Sequence, residues 1–344
     1  MQKPVLVIKL GSATISEIDG SINTSIIKKI ADEIASLSAN WRVVLVSSGA
    51  VGSGKSSITN YKGTITERKA AAAVGNPILI QLYHKYFSKH GISVAQALCE
   101  RHHFSNRLQF LQLKETFSMF WNNNILPVVN ENDLVSNIEL KFSDNDELAT
   151  LIAVGFDADT LIICTSVGGF LDADKKIVPV VEKIDNHIQS YVVNDKSSLG
   201  LGGMLSKLTF TKLATSLGIK VIICGLQGNN FFTSALEGRS GTTFLPHRSN
   251  FKARQKWLAG GSITIGNIMV DAGAAKALSN RKSLLTVGIK AIEGDFMSGE
   301  VVQLMNEAQE IIGVAKVKLD AKGMHEVLAQ KNTIAAHADD IVIF

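Results

Sequence analysis

The segment Asn130-Glu131-Asn132-Asp133, followed shortly by Asp144-Asn145-Asp146, gathers short amide and carboxylate side chains beside apolar sequence. The first cluster comes directly after Ile125-Leu126-Pro127-Val128-Val129, which reads as a buried strand. Asn and Asp at the carboxyl end of such a strand can hold the amino group of a small polar substrate or orient a cationic side chain. Open α/β sheets build their ligand sites at that edge. The plain alternative is turn chemistry, because the same residue types dominate turns. Two clusters so close together, each beside an apolar segment, favour a site.

The elements that must position these clusters are legible from periodicity. Apolar runs at 5–10, 43–46, 92–97, 125–129, 160–164 and 220–224 predict strands. Ile26, Ile27, Ile30, Ile34 and Leu37 recur at helical spacing, with Asn23, Thr24 and Ser25 available as caps. Leu79, Ile80, Leu82, Tyr83 and Phe87 predict a second helix. Strands alternating with helices imply an α/β fold with a mostly parallel sheet covered on both faces. The texture changes near Pro246, where 246–256 is polar and basic. The expected division is a catalytic unit at 1–250, a linker at 251–261 and a small β-rich unit at 262–344. β-like pieces in that last unit fall at 262–265, 288–292, 300–304 and 311–318.

The chain has 344 residues, 46% of them hydrophobic, and five prolines, which suits a globular protein of two domains. A net charge of +4 is too mild to imply a nucleic-acid partner. Cys99, Cys164 and Cys224 fit no zinc or redox spacing and read as inert core thiols of a reduced, cytoplasmic protein. Residues 1–4 lack a signal peptide's apolar region, and no run approaches the ~20 apolar residues that span a bilayer, so no membrane partner is expected. His102-His103 has no partner at ligand spacing, and His337 before Asp339-Asp340 reads the same way, so no metal is assigned to the protein itself.

Residues 49–56, Gly-Ala-Val-Gly-Ser-Gly-Lys-Ser, match the P-loop pattern in full and follow a strand. A P-loop NTPase would place Lys55 on the phosphates. It would also need a strand ending in a magnesium-binding Asp. The strands downstream end instead in Asn130, Thr165-Ser166 and Gly225.

A different motif set accounts for more of the chain. With Lys9-Leu10-Gly11-Ser12, Ser47-Ser48-Gly49-Ala50, the two acidic and amide clusters, and residues 200–207 (Gly-Leu-Gly-Gly-Met-Leu-Ser-Lys) in this order, the sequence resembles the glutamate 5-kinases of the amino acid kinase family. The resemblance spans essentially the whole length, and the part from residue 262 is similar to a PUA domain. It implies a three-layer αβα sandwich carrying a small β-rich C-terminal domain. It implies ATP-dependent phosphorylation of the side-chain carboxylate of L-glutamate, the first step of proline biosynthesis, with ATP and Mg²⁺. Lys9 and Lys207 would contact the ATP phosphates and the transferring phosphoryl group, with Asp146 orienting the lysines. Ser48, Asp133 and Asn145 would bind glutamate. Thr165, Ser166, Gly202, Gly203, Met204 and Ser206 would line the nucleotide site with the lysines. A homo-oligomer and feedback inhibition by proline are also implied. Two departures stand out: Ser166 where the family has Asp, and Ser143 where it has Gly.

The chemistry suits these residues. A glutamate carboxylate, with a pKa of ~4.3, is already ionised at neutral pH and needs no general base. The obstacle is bringing an anion to a polyanion, which two lysines and Mg²⁺ relieve. A hydroxyl kinase would want an Asp base, and Asp133, Asp144 or Asp146 could serve. A sister kinase acting on another small carboxylate or a nucleotide would reuse the lysines and glycines but leave the Asn-Glu-Asn-Asp segment unexplained. The C-terminal basic residues Arg281, Lys282, Lys290, Lys316, Lys318 and Lys322 are interleaved with Glu293, Asp295, Glu300 and Asp320. That mixture predicts weak, salt-dependent RNA binding at most.

Overall fold

Val5–Lys9 (β1), Arg42–Val46 (β2), Ser93–Cys99 (β3), Ile125–Glu131 (β4), Thr160–Cys164 (β5) and Lys220–Cys224 (β7) are the apolar runs of the sequence, each folded as a strand. With the short strands Val180–Val181 (β6) and Thr242–Phe244 (β8) they form one eight-stranded sheet, ordered β3-β4-β2-β1-β5-β7-β8-β6. Every pairing is parallel except β7 with β8. β1 and β5 are buried at every position, as strands covered on both faces must be. The computed structural model describes residues 2–17, 20–105, 107–135, 144–193, 203–247, 264–328 and 333–343.

The expected helix around Ile26 spans Thr24–Leu37, and Asn23 caps it by accepting the Ile26 N–H at 2.9 Å. Its apolar stripe (Ile27, Ile30, Ile34) shares a core with Leu6 and Ile8 of β1 and with Leu79, Tyr83 and Phe87. Those last three belong to a helix longer than expected, Ile65–Phe87, which a Thr64/Glu67 capping box starts. On β1 and β5 packs a further helix, Asn145–Gly155. Strand β4 also runs further than the sequence predicted. Asn130 and Glu131 pair with Leu98 and Cys99 inside the sheet, and both are buried. The turn reading therefore fails for the first half of that cluster.

The Gly-rich segment folds as a helix, Ala50–Gly54, continued by a 3₁₀ turn at Lys55–Ser57. This helix crosses the Ile65–Phe87 helix backbone against backbone. A Cβ at Gly54 would lie 2.0 Å from the Ala71 carbonyl oxygen, and one at Gly75 would lie 1.8 Å from that of Ala50. The glycines are there for close approach. Gly75→Ala is expected to destabilise the fold by about 3 kcal/mol or more, the upper end for overpacking, in urea unfolding.

The chain divides into two units, Met1–Glu100 with Leu108–Arg248, and Ser249–Phe344 with Arg101–Arg107. In the second unit Thr264–Val270 (β9), Ile289–Glu293 (β11), Val301–Met305 (β12), Ile311–Lys316 (β13) and Ile341–Ile343 (β15) form a five-stranded sheet, ordered β11-β9-β12-β13-β15, while Leu284–Leu285 (β10) and Ile334–Ala336 (β14) pair separately. Four of these overlap the predicted pieces. The last strand and the Ala272–Ser279 helix, capped by Asp271, were not anticipated. The linker at 251–261 lies outside the described residues. Among the described residues no helix is long and apolar enough to cross a membrane.

Candidate active site

Three strands deliver side chains to one edge of the sheet: Lys9 ends β1, Ser47 and Ser48 follow β2, and Asn130 lies near the end of β4. β1 is the switch strand. Its neighbour on one side is β2 and on the other β5, the arrangement that opens a crevice at the carboxyl ends.

The centre of the crevice is Asp146, fully buried in the first turn of the Asn145–Gly155 helix. A helix N-terminus favours a carboxylate there. Its Oδ1 lies 2.7 Å from Lys9 Nζ and its Oδ2 lies 3.0 Å from Lys207 Nζ. The Lys207 contact is a directed hydrogen bond. The Lys9 contact is close enough for charge pairing but leaves Oδ1 without a hydrogen bond of its own. Both lysines are buried, at 6% and 8% exposed. Two ammonium groups around one carboxylate leave a net positive charge in a sheltered place, which suits a polyanionic ligand.

Asp144 organises the approach. Its Oδ1 caps the helix through the Asp146 and Glu147 N–H groups at 2.9 and 3.1 Å. Its Oδ2 accepts the Ser206 hydroxyl at 2.6 Å. Ser206 belongs to the Met204–Ser216 helix, which also carries Lys207. Gly203 begins that helix in an extended conformation with no side-chain cap, which leaves first-turn N–H groups of the kind that bind phosphate. Met204 is half-buried beside it. Gly202 and Ser143 lie outside the described residues.

Asn145 faces the other way. Its Nδ2 donates to the Ser47 carbonyl at 2.9 Å, to Ser48 Oγ at 2.9 Å and to Asn130 Oδ1 at 3.1 Å. Its Oδ1 has no partner among the described residues, and neither does the Ser48 hydroxyl proton. The site thus offers one acceptor and one donor side by side, a match for an amino acid's ammonium and carboxylate. Gly49, at φ +97°, supplies the left-handed turn that directs the chain from Ser48 into the next helix. Ser47 is held from below by the buried Tyr83 hydroxyl at 2.7 Å, and burial raises that phenol's pKa. Asp133 sits half-buried in the turn after β4. On the far side of β1, Thr165 follows β5 with its N–H donating to the Cys224 carbonyl at 2.8 Å. Ser166 is exposed, and its carbonyl accepts from Gln227 Nε2 at 3.3 Å.

The structure therefore brings Lys9, Lys207, Asp146, Asn145, Ser48 and Ser206 into one connected network. It leaves Thr165 and Ser166 at its margin. All three cysteines are buried and unpaired. Burial pushes the Cys99 thiol up to about 12 and raises Cys164 well above its usual range, so both are inert as nucleophiles. Lys55 takes no part in this network. Its ammonium lies over Gly20, where a Cβ would come within 2.2 Å of it.

The sequence profile of the Amino acid kinase family matches residues 4–225, and that of the PUA domain matches residues 266–336. The chain belongs to the amino acid kinase family. Its similarity extends over nearly its full length to a glutamate 5-kinase of Moorella thermoacetica, 36% identical over 95% of this chain and 89% of that protein. A glutamate 5-kinase of Haemophilus influenzae is 33% identical over 100% of both chains. Among solved structures, a carbamate kinase from Giardia lamblia bound to AMP-PNP superposes with a TM-score of 0.52 at 18% identity, over 71% of this chain and 99% of that one, which shows a shared fold.

Within this amino acid kinase, the sequence reading overlooked Asn76 and Tyr83, both on the Ile65–Phe87 helix and both bonded to site residues. Helical spacing marked Tyr83 only as core. The signal for Asn76 was the glycine before it, which marks a close helix approach next to the end of β4.

Proposed function

We propose that this amino acid kinase transfers the terminal phosphoryl group of ATP to the side-chain carboxylate of L-glutamate, giving γ-glutamyl 5-phosphate for proline biosynthesis. The observation that carries the reading is the Asp144–Asp146 turn. One residue of it gathers two lysines for phosphate, and the next presents polar atoms to an amino acid. The full-length similarity to glutamate 5-kinases supports glutamate as the acceptor.

In this reading the sheet edge is divided by β1. Glutamate lies on the β2 and β4 side, held by Ser48, Asn145 and Asp133. ATP lies on the β5 and β7 side, against Thr165, Ser166 and the Gly202–Lys207 segment. Lys9 and Lys207 meet the phosphates between them and draw off charge as the γ-carboxylate attacks. Asp146 has both oxygens engaged by lysines, so it positions them and takes no proton. The acceptor, with a pKa of ~4.3, arrives ionised. That same engagement of Asp146 fits Mg²⁺ carried on the ATP oxygens, where it neutralises phosphate charge. Self-association, inhibition by proline and a cytoplasmic setting belong to the same reading.

The test is ADP release from MgATP with and without L-glutamate, with acyl phosphate trapped as hydroxamate. Glutamate-dependent ADP matched by hydroxamate is the expected result. ADP release indifferent to glutamate would refute the acceptor assignment.

A further inference from the structure

The hydrogen bonds around Asn130 have an unambiguous polarity. Asn145 donates to the backbone carbonyl of Ser47, so its Nδ2 must be the atom facing β2 and β4. The Asn130 atom that meets it must then accept, and this Oδ1 also takes the Glu131 backbone N–H at 3.0 Å. Asn130 is left with Nδ2 on its other side, where it donates to Asn76 Oδ1 at 3.1 Å. Asn76 therefore has its own Nδ2 to spare. Among the described residues that nitrogen makes no hydrogen bond, and it keeps some access to solvent although the residue is only 7% exposed.

A buried amide with one end locked and a donor left open calls for an acceptor. The backbone crossing at Gly54 and Gly75 holds the chain just before Asn76 against the helix that starts just after Ser48, and the Asn76 side chain meets Asn130 at the end of β4. Asn130 lies on β4, and Lys9 lies on β1 with β2 between them. Strand spacing puts those two positions about 10 Å apart. An extended five-carbon dicarboxylate, with a hydrogen bond of about 2.9 Å at each end, bridges that distance. Its γ-carboxylate must lie at the lysines, so the carboxylate near Asn76 is the other one.

We propose that Asn76 binds the α-carboxylate of the acceptor through its Nδ2, alongside the Ser48 hydroxyl, and so selects an α-amino acid. This rests on the glutamate reading above. It also gives the Gly-rich segment a purpose: the glycines that mimic a P-loop let Asn76 reach the substrate.

The experiment measures hydroxamate formation by wild type, Asn76→Ala and Asn76→Asp, on L-glutamate and on its α-amide. Aspartate keeps the acceptor for Asn130 and replaces the open donor by a negative oxygen. Loss of one hydrogen bond to a charged group should raise KM for glutamate about 10- to 100-fold in Asn76→Ala, and more in Asn76→Asp. KM for ATP should stay within about twofold, since the changes lie on the acceptor side of β1. The preference for glutamate over its α-amide should shrink in both variants. Asn76→Ser, whose hydroxyl can accept from Asn130 but not reach the substrate, replaces Asn76→Asp if that protein does not fold. An unchanged glutamate-to-amide preference, or equal rises in both KM values, overturns the assignment. A wild-type protein that forms no hydroxamate fails earlier, at the glutamate reading itself.

Discussion

Asp146→Asn is expected to cost about 10²- to 10⁴-fold in kcat, the equivalent of the roughly 3–5 kcal/mol lost when a buried ion pair is stripped of one partner. The substitution keeps size and removes charge. Lys9 and Lys207 then face each other with no carboxylate between them, in a site where Asp146 has no exposure and the lysines little. They must separate or draw in solvent, and either motion spoils their alignment on the phosphates. The loss should fall on kcat, with KM for glutamate little changed, because Ser48 and Asn145 do not depend on that charge. A second readout isolates the cause. Bound ATP supplies the missing negative charge, so it should raise the melting temperature of Asp146→Asn by more than that of wild type. A kcat within tenfold of wild type, or equal stabilisation by ATP, would rule out the role given to Asp146.

Lys9→Ala and Lys207→Ala should each lower kcat by about 10²- to 10³-fold or more, the range for deleting one preorganised donor to a developing anion. Lys55→Ala should leave kcat within about twofold, in line with an ordinary surface change. The contrast decides between two complete motif readings of one chain. The Gly49–Ser56 match has the right letters, but its glycines serve a helix crossing and its lysine lies over Gly20. Arginine should not rescue either active-site lysine. A planar guanidinium is larger and presents a rigid fork, where the pocket around Asp146 accommodates two compact ammonium groups. A dead but folded Lys55→Ala protein would reverse the conclusion.

Local periodicity carried most of the first unit. Thr160–Cys164 and Lys220–Cys224 appear in the structure with the bounds read from sequence, because a continuous apolar run between polar residues is itself the signature of a strand buried on both faces. The Asn23 cap was equally legible, since capping acts over three residues. Element ends were less so. β4 continues through Asn130 and Glu131 because β3 offers them pairing partners, a contact between distant segments that no local window contains. The second unit suffered most. Its closing strand Ile341–Ile343 is three residues long and gains its place by pairing with β13.

The Asp144-Asn145-Asp146 turn was legible from its residue types beside apolar sequence, and Lys9 and Lys207 from the family resemblance. Packing set which of these residues meet. It placed β1 between β2 and β5, and so put Lys9 at the switch point. It turned Asp146 toward two lysines and Asn145 toward Ser48, although the two are adjacent in the chain. It also brought Asn76, beside a glycine crossing, to Asn130. The physical reason is range. Propensity and capping act within a turn or two of the chain, whereas the polarity of a buried amide is set by the partners that packing brings to it.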